Sequence, residues 1–375
     1  MATVEHPGLE GVIAGQSSIS NVYGDEGRLI YRGYEIQDLA ANCCFEEIVY
    51  LLWHGDLPNE TQLEDLKAQL RANRKVPVGL LGYMSGLPHT ARTMAWLRSS
   101  VSALAMYDPD AGVNNPEANL RKAIRLVART HTLTAAIGRI RAFQEPIEPL
   151  DTGDEATNFL YMLTGKLPDE TEARTYDVAL VLHADHEFNA STFTARVIVS
   201  TLADMYAGVT GAIGALGGPL HGGANEQVMK YLTVLAETGQ DPEEWVKEQL
   251  ANKVKIPGFG HRVYKTVDPR AAYLREMGRQ MAIKAGKEEY FRISEIVYET
   301  VLREKGINAN VDFFSASVFA DLGLPVMLYS PSFACSRMAG WTAHVIEQLN
   351  DNRIMRPRCD YIGYTKRDFV PIDKR

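Results

Sequence analysis

From Phe45 onward the apolar residues of this chain return at intervals of three and four. Phe45, Ile48, Val49 and Leu52 fall at i, i+3, i+4 and i+7, the spacing that lines one face of an α-helix. Gly55 and Pro58 end that stretch. Asn59 stands where the next helix needs a cap, with Gln62 three residues on and Leu63, Leu66 and Leu70 along the inner face. The same spacing recurs over 91–106, 118–143, 156–163, 170–183, 191–207, 225–235, 242–250, 271–285, 291–305 and 331–349. No alternation of strand and helix recurs, which argues against a doubly wound sheet. Only 12–32 reads differently. Residues 18–23 alternate, Gly24-Asp-Glu-Gly27 turns, and 28–32 return, so a small hairpin is expected there. The expected fold is all-α with a small N-terminal β-hairpin. The stretch 118–143 is polar enough to be expected on the surface. The stretch 205–220 has no charged residue, but it is shorter than the about 20 residues that span a bilayer. It is expected to be a buried helix with small faces, in the core or at a subunit interface, so no membrane partner is expected.

Composition narrows the function. At roughly 150 residues per domain, 375 residues suggest two domains. Asp+Glu 47 against Lys+Arg 39 gives a formal net charge of -8, and a nucleic-acid binder needs a basic face. The four cysteines, Cys43, Cys44, Cys335 and Cys359, form no CxxC pair. Neither structural zinc nor a disulfide framework is expected, and reduced thiols suit a reducing compartment. The opening MATVEHPGLEG has no basic region, no apolar run and no Arg. It does not read as a secretory or mitochondrial leader, so a cytoplasmic location is expected.

Five segments carry the chemistry-bearing residues. In Gly217-Gly-Pro-Leu-His-Gly-Gly, four glycines surround His221 just before a helical stretch. A ring there either caps the helix or, kept neutral by the helix dipole, polarises a carbonyl. The loop Ile256-Pro257-Gly258-Phe259-Gly260-His261-Arg262-Val-Tyr-Lys265, running on to Asp268-Pro-Arg270, is basic in an acidic chain. It is either a solvated face or an anion site with His261 as proton donor. His183 and His186 at i and i+3 suggest one helix face, and thus a metal pair, a carboxylate site or a buried satisfied pair. Asp312 in Asn310-Val-Asp-Phe-Phe either caps the next helix or, desolvated among apolar neighbours, serves as a general base. Arg337, in an apolar helix, requires an anion from the protein or from a ligand, and Arg356 and Arg358 follow that helix.

Taken in order, GGPLHGGAN, PGFGHRVYK with DPR, NVDFFSAS and SRMAGWTAHVIEQ resemble the citrate synthase family, and so does the N-terminal GLEGVIAGQSSIS…RLIYRGYEIQDLA. The likeness covers essentially the whole chain. It implies a nearly all-α fold with a large domain over 1–221 and 319–375 and a small one over 222–318. It implies condensation of acetyl-CoA with oxaloacetate, with 2-methylcitrate synthase, which uses propionyl-CoA, as the alternative. It implies a catalytic trio of His221, His261 and Asp312. Oxaloacetate falls to His186, Arg270, Arg337 and Arg356, the last reaching across from the second subunit of a homodimer. CoA falls to Ile256, Pro257, Gly258, Phe259, Gly260, Arg262 and Lys265, where Lys265 stands at a position that is Arg in some members. No metal and no cofactor is implied, since acetyl-CoA is a substrate. A metal hydrolase on His183 and His186, or a helical scaffold without activity, are the rival readings.

Overall fold

The computed structural model describes residues 6–286 and 288–375. The first five residues, on which the leader reading partly rests, lie outside them. The chain opens with a three-stranded antiparallel sheet, β1 (Ser20–Tyr23), β2 (Arg28–Tyr31) and β3 (Tyr34–Glu35). Ser20 pairs with Tyr31 and Tyr23 with Arg28. The expected hairpin is present, and β3 adds a strand that the alternation did not announce. In the hairpin turn Gly27 has φ 66°, and a β-carbon there would come within 2.7 Å of the Val267 carbonyl oxygen. The turn thus seats directly against the basic loop region.

The remainder is helical, as the spacing predicts. The first helices are α1 (Ile36–Asn42), α2 (Phe45–His54) and α3 (Glu60–Asn73). The last begins on a reciprocal cap: Gln62 N donates to Asn59 Oδ1 at 3.0 Å and Asn59 N to Gln62 Oε1 at 2.9 Å. Then come α4 (Val78–Ser85), α5 (Thr93–Leu104), α6 (Pro116–Arg141), α7 (Glu155–Thr164), α8 (Glu170–His183), α9 (Ala190–Val199) and α10 (Met205–Leu216). After them run α11 (Ala224–Thr238), α12 (Pro242–Ala251), α13 (Pro269–Ala285), α14 (Glu288–Lys305), α15 (Val311–Asp321) and α16 (Tyr329–Asn350).

The core forms around α16, which is buried without interruption from Tyr329 to Val345 and packs against α2, α6, α8, α9 and α10. Small residues permit this closeness: Gly340 N bonds Ala184 O at 3.1 Å, and a β-carbon at Gly340 would fall 2.4 Å from that oxygen. Helices α11 to α15 pack mainly on one another, and α13 and α15 also reach α8. No helix of the described residues is long and apolar enough to cross a membrane.

The surface reading of 118–143 is overturned. Helix α6 is central, and its Lys122, Thr130, His131, Thr132 and Thr134 are buried. Backbone carbonyls take up most of their polar groups, His131 Nε2 being an exception. Thr130 Oγ1 bonds Leu126 O at 2.6 Å, Thr132 Oγ1 bonds Arg74 O at 2.9 Å, and Lys122 Nζ bonds Val113 O at 2.6 Å. A polar residue whose partner is supplied by backbone can be buried at little net cost, so polarity alone misplaced the helix.

The ends of α3 and α7 are locked by a buried ion pair. Arg74 donates to Glu155 Oε1 at 2.8 Å and to the carbonyls of Leu150, Thr152 and Gly153 at 3.0, 2.9 and 2.9 Å. Removing one member leaves an uncompensated buried charge. Arg74→Met is expected to lower the unfolding free energy by about 3–5 kcal/mol. Lys67→Met, at the exposed pair with Glu64, should cost no more than about 1 kcal/mol. Denaturant titration of both variants at one protein concentration checks the contrast.

Candidate active site

Helix α8 ends at His183, and the chain turns away through Ala184 to Asn189. His186 therefore lies in the turn and does not share a helix face with His183. The expected i, i+3 pair is not formed. His183 bonds back to Ala179 O at 2.7 Å and packs against Phe333 and Phe319. Among the described residues no group of three His, Cys, Asp or Glu side chains could hold a metal ion. Asn189 caps α9 by accepting from Ser191 N and Thr192 N, each at 3.1 Å. This cap places Ser191 in the first turn, facing the site.

His221 lies in the turn between α10 and α11, three residues before α11 begins at Ala224. Its Nε2 stands 2.9 Å from Ser191 Oγ, which also accepts the indole N–H of Trp341 at 3.1 Å. His261 is fixed from the other side. Val263 N and Tyr264 N donate to its Nδ1 at 3.0 and 3.1 Å. An amide can only donate, so Nδ1 carries the lone pair and the ring hydrogen sits on Nε2. The His186 and His261 rings are 5.1 Å apart, and His186 Nε2 is 3.3 Å from Tyr264 Oη.

The loop carrying His261 is docked on the start of α15. Gly260 N bonds Asn308 O at 3.0 Å, and Asn310 N bonds Gly258 O at 2.9 Å. Gly258 has φ 88° and would place a β-carbon 2.8 Å from Val228 Cγ2, so glycine is required there. Phe259 stacks obliquely on Phe313 at 4.7 Å. Asn310 also caps α15 by accepting from Asp312 N at 3.1 Å. The capping role open to Asp312 is thus taken, and Asp312 Oδ1 is buried without a hydrogen-bond partner.

Two of the arginines flank this group. Arg270, in the first turn of α13, makes a fork with Asp268: Nε to Oδ1 at 3.0 Å and Nη2 to Oδ2 at 2.8 Å. Asp268 in turn accepts from Val311 N at 3.2 Å, tying Arg270 to the helix that carries Asp312. Arg337 on α16 is 1% exposed. Its Nε donates to His183 O at 2.7 Å, and among the described residues no carboxylate forms an ion pair with it. Arg356 does not join them in this chain; it is exposed on the tail beyond α16. Of the basic loop, Ile256 is buried, and Pro257, Gly258, Phe259 and Gly260 form its partly buried stem. Arg262 and Lys265 are exposed, near Glu10 at 3.5 Å and Asp25 at 2.8 Å.

Burial and the two guanidinium charges set the protonation. Burial pushes the Asp312 carboxyl up to about 6, with Asp268 raising it further and Arg270 and Arg337 resisting. Burial, then Arg337, pulls His221 down to about 4. Burial, then Arg270, pulls His261 down to about 4. His186 is held well below its ordinary value by burial, Arg270, His261, Arg337 and His221. Near pH 7 the group therefore offers one ionised carboxylate with a raised proton affinity and uncharged imidazoles able to donate N–H. Ser191, Trp341, Tyr264 and the Asp268 clasp escaped the sequence reading. Tyr264 is three residues from His261, but Ser191 is 30 residues from His221, and nothing local joins them.

Fold and site together define an enzyme for proton chemistry beside a carbonyl on an anionic substrate. The family model "Citrate synthase, C-terminal domain" matches residues 8–358. A Bacillus subtilis protein named citrate synthase 2 is 50% identical over 369 residues, covering 98% of each chain. A second Bacillus subtilis protein, named citrate/2-methylcitrate synthase, is 42% identical over 358 residues, covering 95% of this chain and 96% of its own. The ternary complex of carboxymethyl coenzyme A and oxaloacetate with citrate synthase from the thermophilic archaeon Thermoplasma acidophilum superposes with a TM-score of 0.92. It is 33% identical and covers 98% of this chain and 99% of that one. The chain belongs to the citrate synthase family, enzymes that form a carbon–carbon bond.

A base must be ionised to accept a proton, so if Asp312 is the base, activity falls as pH drops through its value. The turnover–pH profile should show an acid limb near 6, not near the value of 3.8 ordinary for Asp. A flat profile from pH 7 down to 4.5 would remove Asp312 as the base.

Proposed function

We propose that this enzyme condenses acetyl-CoA with oxaloacetate and water to citrate and CoA, with the residues in the following roles. The observation that carries the assignment is a buried Asp312 Oδ1 without a hydrogen-bond partner, acted on by the charges of Arg270 and Arg337, which also act on His221 and His261, two imidazoles that cannot readily take a second proton. Oxaloacetate binds first. Arg337, which lacks an anion of its own, and the free edge of Arg270 meet its carboxylates, with His186 at the remaining oxygens. Asp312 removes a proton from the acetyl methyl group. His221 donates a hydrogen bond to the thioester oxygen and stabilises the enol or enolate. The enol carbon attacks the keto carbon, and His261 gives its Nε2 proton to the oxygen as it becomes an alkoxide. Water then attacks the citryl thioester, and CoA leaves as the thiol. Acetyl-CoA is consumed as a substrate, and the route uses no metal or cofactor step.

The loop 256–265 is assigned to CoA, with exposed Arg262 and Lys265 toward its phosphates. Residues 222–318 are assigned to a small domain that closes over the site, with 1–221 and 319–375 as the large one. Two features support a homodimer. Helix α10 leaves a face of Ala207, Thr210, Gly211, Gly214 and Ala215 only half-buried, and small residues allow close approach of a second helix. The tail beyond α16 exposes Ile354, Tyr361, Ile362, Phe369 and Ile372, with Ile362 95% exposed. A surface this apolar suits a partner. In that dimer Arg356 completes the second subunit's oxaloacetate site. Four free cysteines suit a cytoplasmic location.

Thiol release from acetyl-CoA in EDTA should require oxaloacetate. Faster release from propionyl-CoA would move the assignment to 2-methylcitrate formation. Asp312→Asn should keep the fold and lose about 10²–10⁴ in turnover. Arg356 can be tested by subunit mixing. Asp312→Asn and Arg356→Ala homodimers should each be poor enzymes. Reassembled together, they should recover up to about a quarter of wild-type activity, because half the dimers carry one complete site. No recovery would show that Arg356 does not cross between subunits.

A further inference from the structure

The turn that bears His186 is held from behind by a chain of buried side chains that the mechanism does not use. Asp185 is fully buried. Its Oδ2 accepts from Ser20 Oγ at 2.5 Å and from His344 Nε2 at 3.2 Å. Ser20 Oγ itself accepts from Glu187 N at 2.9 Å, so its single hydrogen is free for the carboxylate. On the far side of His344, Arg196 Nη1 approaches Nδ1 at 3.0 Å. Guanidinium has no acceptor, so His344 Nδ1 must carry the lone pair and Nε2 the hydrogen aimed at Asp185. Arg196 continues to Glu347 at 2.7 Å, and Glu347 accepts from Ser18 N at 2.8 Å. Ser20 Oγ and His344 Nε2 both donate to Asp185, while Arg196 orients His344 from behind and is itself held by Glu347.

What Asp185 holds is the geometry of the anion site. Its backbone is clasped by Tyr31, whose Oη donates to Asp185 O at 2.9 Å and accepts from Asp185 N at 3.1 Å. Residue 186 follows directly, and Glu187 sits at φ 55°, a left-handed conformation that a side-chain-bearing residue adopts only when its surroundings impose it. Gly340 admits the Asp185 side chain: a β-carbon there would lie 2.4 Å from Asp185 Oδ1. Gly340 is also in the same helix as Arg337. Asp185 thus joins the His186 turn to the Arg337 helix while leaving Arg337 itself without an ion pair.

We infer that His344 is a positioning residue: oriented by Arg196, it fixes Asp185 and so sets the spacing between His186 and Arg337 that a small dicarboxylate needs. This rests on the reading of that pocket as the oxaloacetate site. His344 touches no substrate, and its effect falls on one substrate only. His344→Phe keeps the ring volume and removes both hydrogen bonds. His344→Gln restores one donor and one acceptor on a single planar group.

The test is oxaloacetate binding by calorimetry together with both Michaelis constants on the assembled enzyme. His344→Phe should weaken oxaloacetate at least about tenfold, the effect of one lost charge-assisted hydrogen bond. The acetyl-CoA constant should stay within about twofold and saturated turnover within about threefold, as for loss of uniform binding. His344→Gln should recover most of the loss. Ser20→Ala, which removes a donor from the opposite side of Asp185, should shift the same constant in the same direction, and serves where the Phe variant fails to fold. Unchanged oxaloacetate affinity in His344→Phe, or in Ser20→Ala alone if the Phe variant is not obtained, overturns the inference. So does a parallel fall of all three parameters that His344→Gln does not relieve. A wild-type enzyme that binds no oxaloacetate would instead overturn the functional reading beneath it.

Discussion

Arg337 is a guanidinium in the middle of the most deeply buried helix, with no carboxylate as a direct partner among the described residues. Taking such a charge out of water costs several kcal/mol, and burial, joined by the Arg270 charge and opposed by Asp185, pulls its pKa down to about 10. The structure accommodates the cation without neutralising it. One N–H is given to His183 O, the face of Phe333 lies 4.8 Å from its central carbon, and Asp185 supplies opposite charge without touching it. An apolar helix that keeps a cation unpaired has left its counter-charge to come from elsewhere. In the proposed reaction a dianionic substrate would supply it, and the energy of that pairing would then be available for binding.

The same two guanidiniums shape the acid–base groups. Arg270 and Arg337 add to the burial that suppresses protonation of the histidines, and both resist the rise in Asp312 that burial imposes. Without them Asp312 would be pushed higher still, and the base would be protonated near neutral pH. Without burial the carboxylate would be too weak a base for a carbon acid. The working state, an ionised carboxylate beside uncharged imidazoles, is a compromise between desolvation and field that neither effect reaches alone. Hydrogen-bond direction completes it: two amides hold the His261 hydrogen on Nε2, without any need for a charged partner.

The helical class was legible because α-helical spacing is local, but α1, α4 and α15 lie outside the expected stretches, and 191–207 runs across the break between α9 and α10. The glycine-framed His221 and His261 were visible as candidates, each with a structural alternative left open at that point. What was not legible required knowledge of distant pairs. Helix α6 looked like a surface helix because its threonines and Lys122 are polar, and only the fold reveals the carbonyls that satisfy them. His183 and His186 looked like one face because helix spacing was extended across a helix end. Asp312 was ambiguous between cap and base until Asn310 was seen to hold the cap. The roles of the individual site residues drew mostly on resemblance, since a motif names a residue type at a position but not the tautomer or field that gives it work.

The placement of the anion site explains why so much of the chain converges on one turn. His186 cannot be fixed by helix geometry, since α8 has already ended, and a free turn would let it wander by more than hydrogen bonds tolerate. Fixing it needs contacts from elements outside the turn. Ser20 and Tyr31 from the sheet, Arg196 from α9 and His344 from α16 all belong to the segments flanking 222–318. Asp312, His261 and Arg270 come from within that span. A closing motion of that span would therefore bring base, acid and one guanidinium to a substrate already held by a rigid wall, and the order of binding would follow from which half is preformed. The small three-stranded sheet thus supports the His186 turn: Ser20 and Tyr31 hold Asp185, which directly precedes His186.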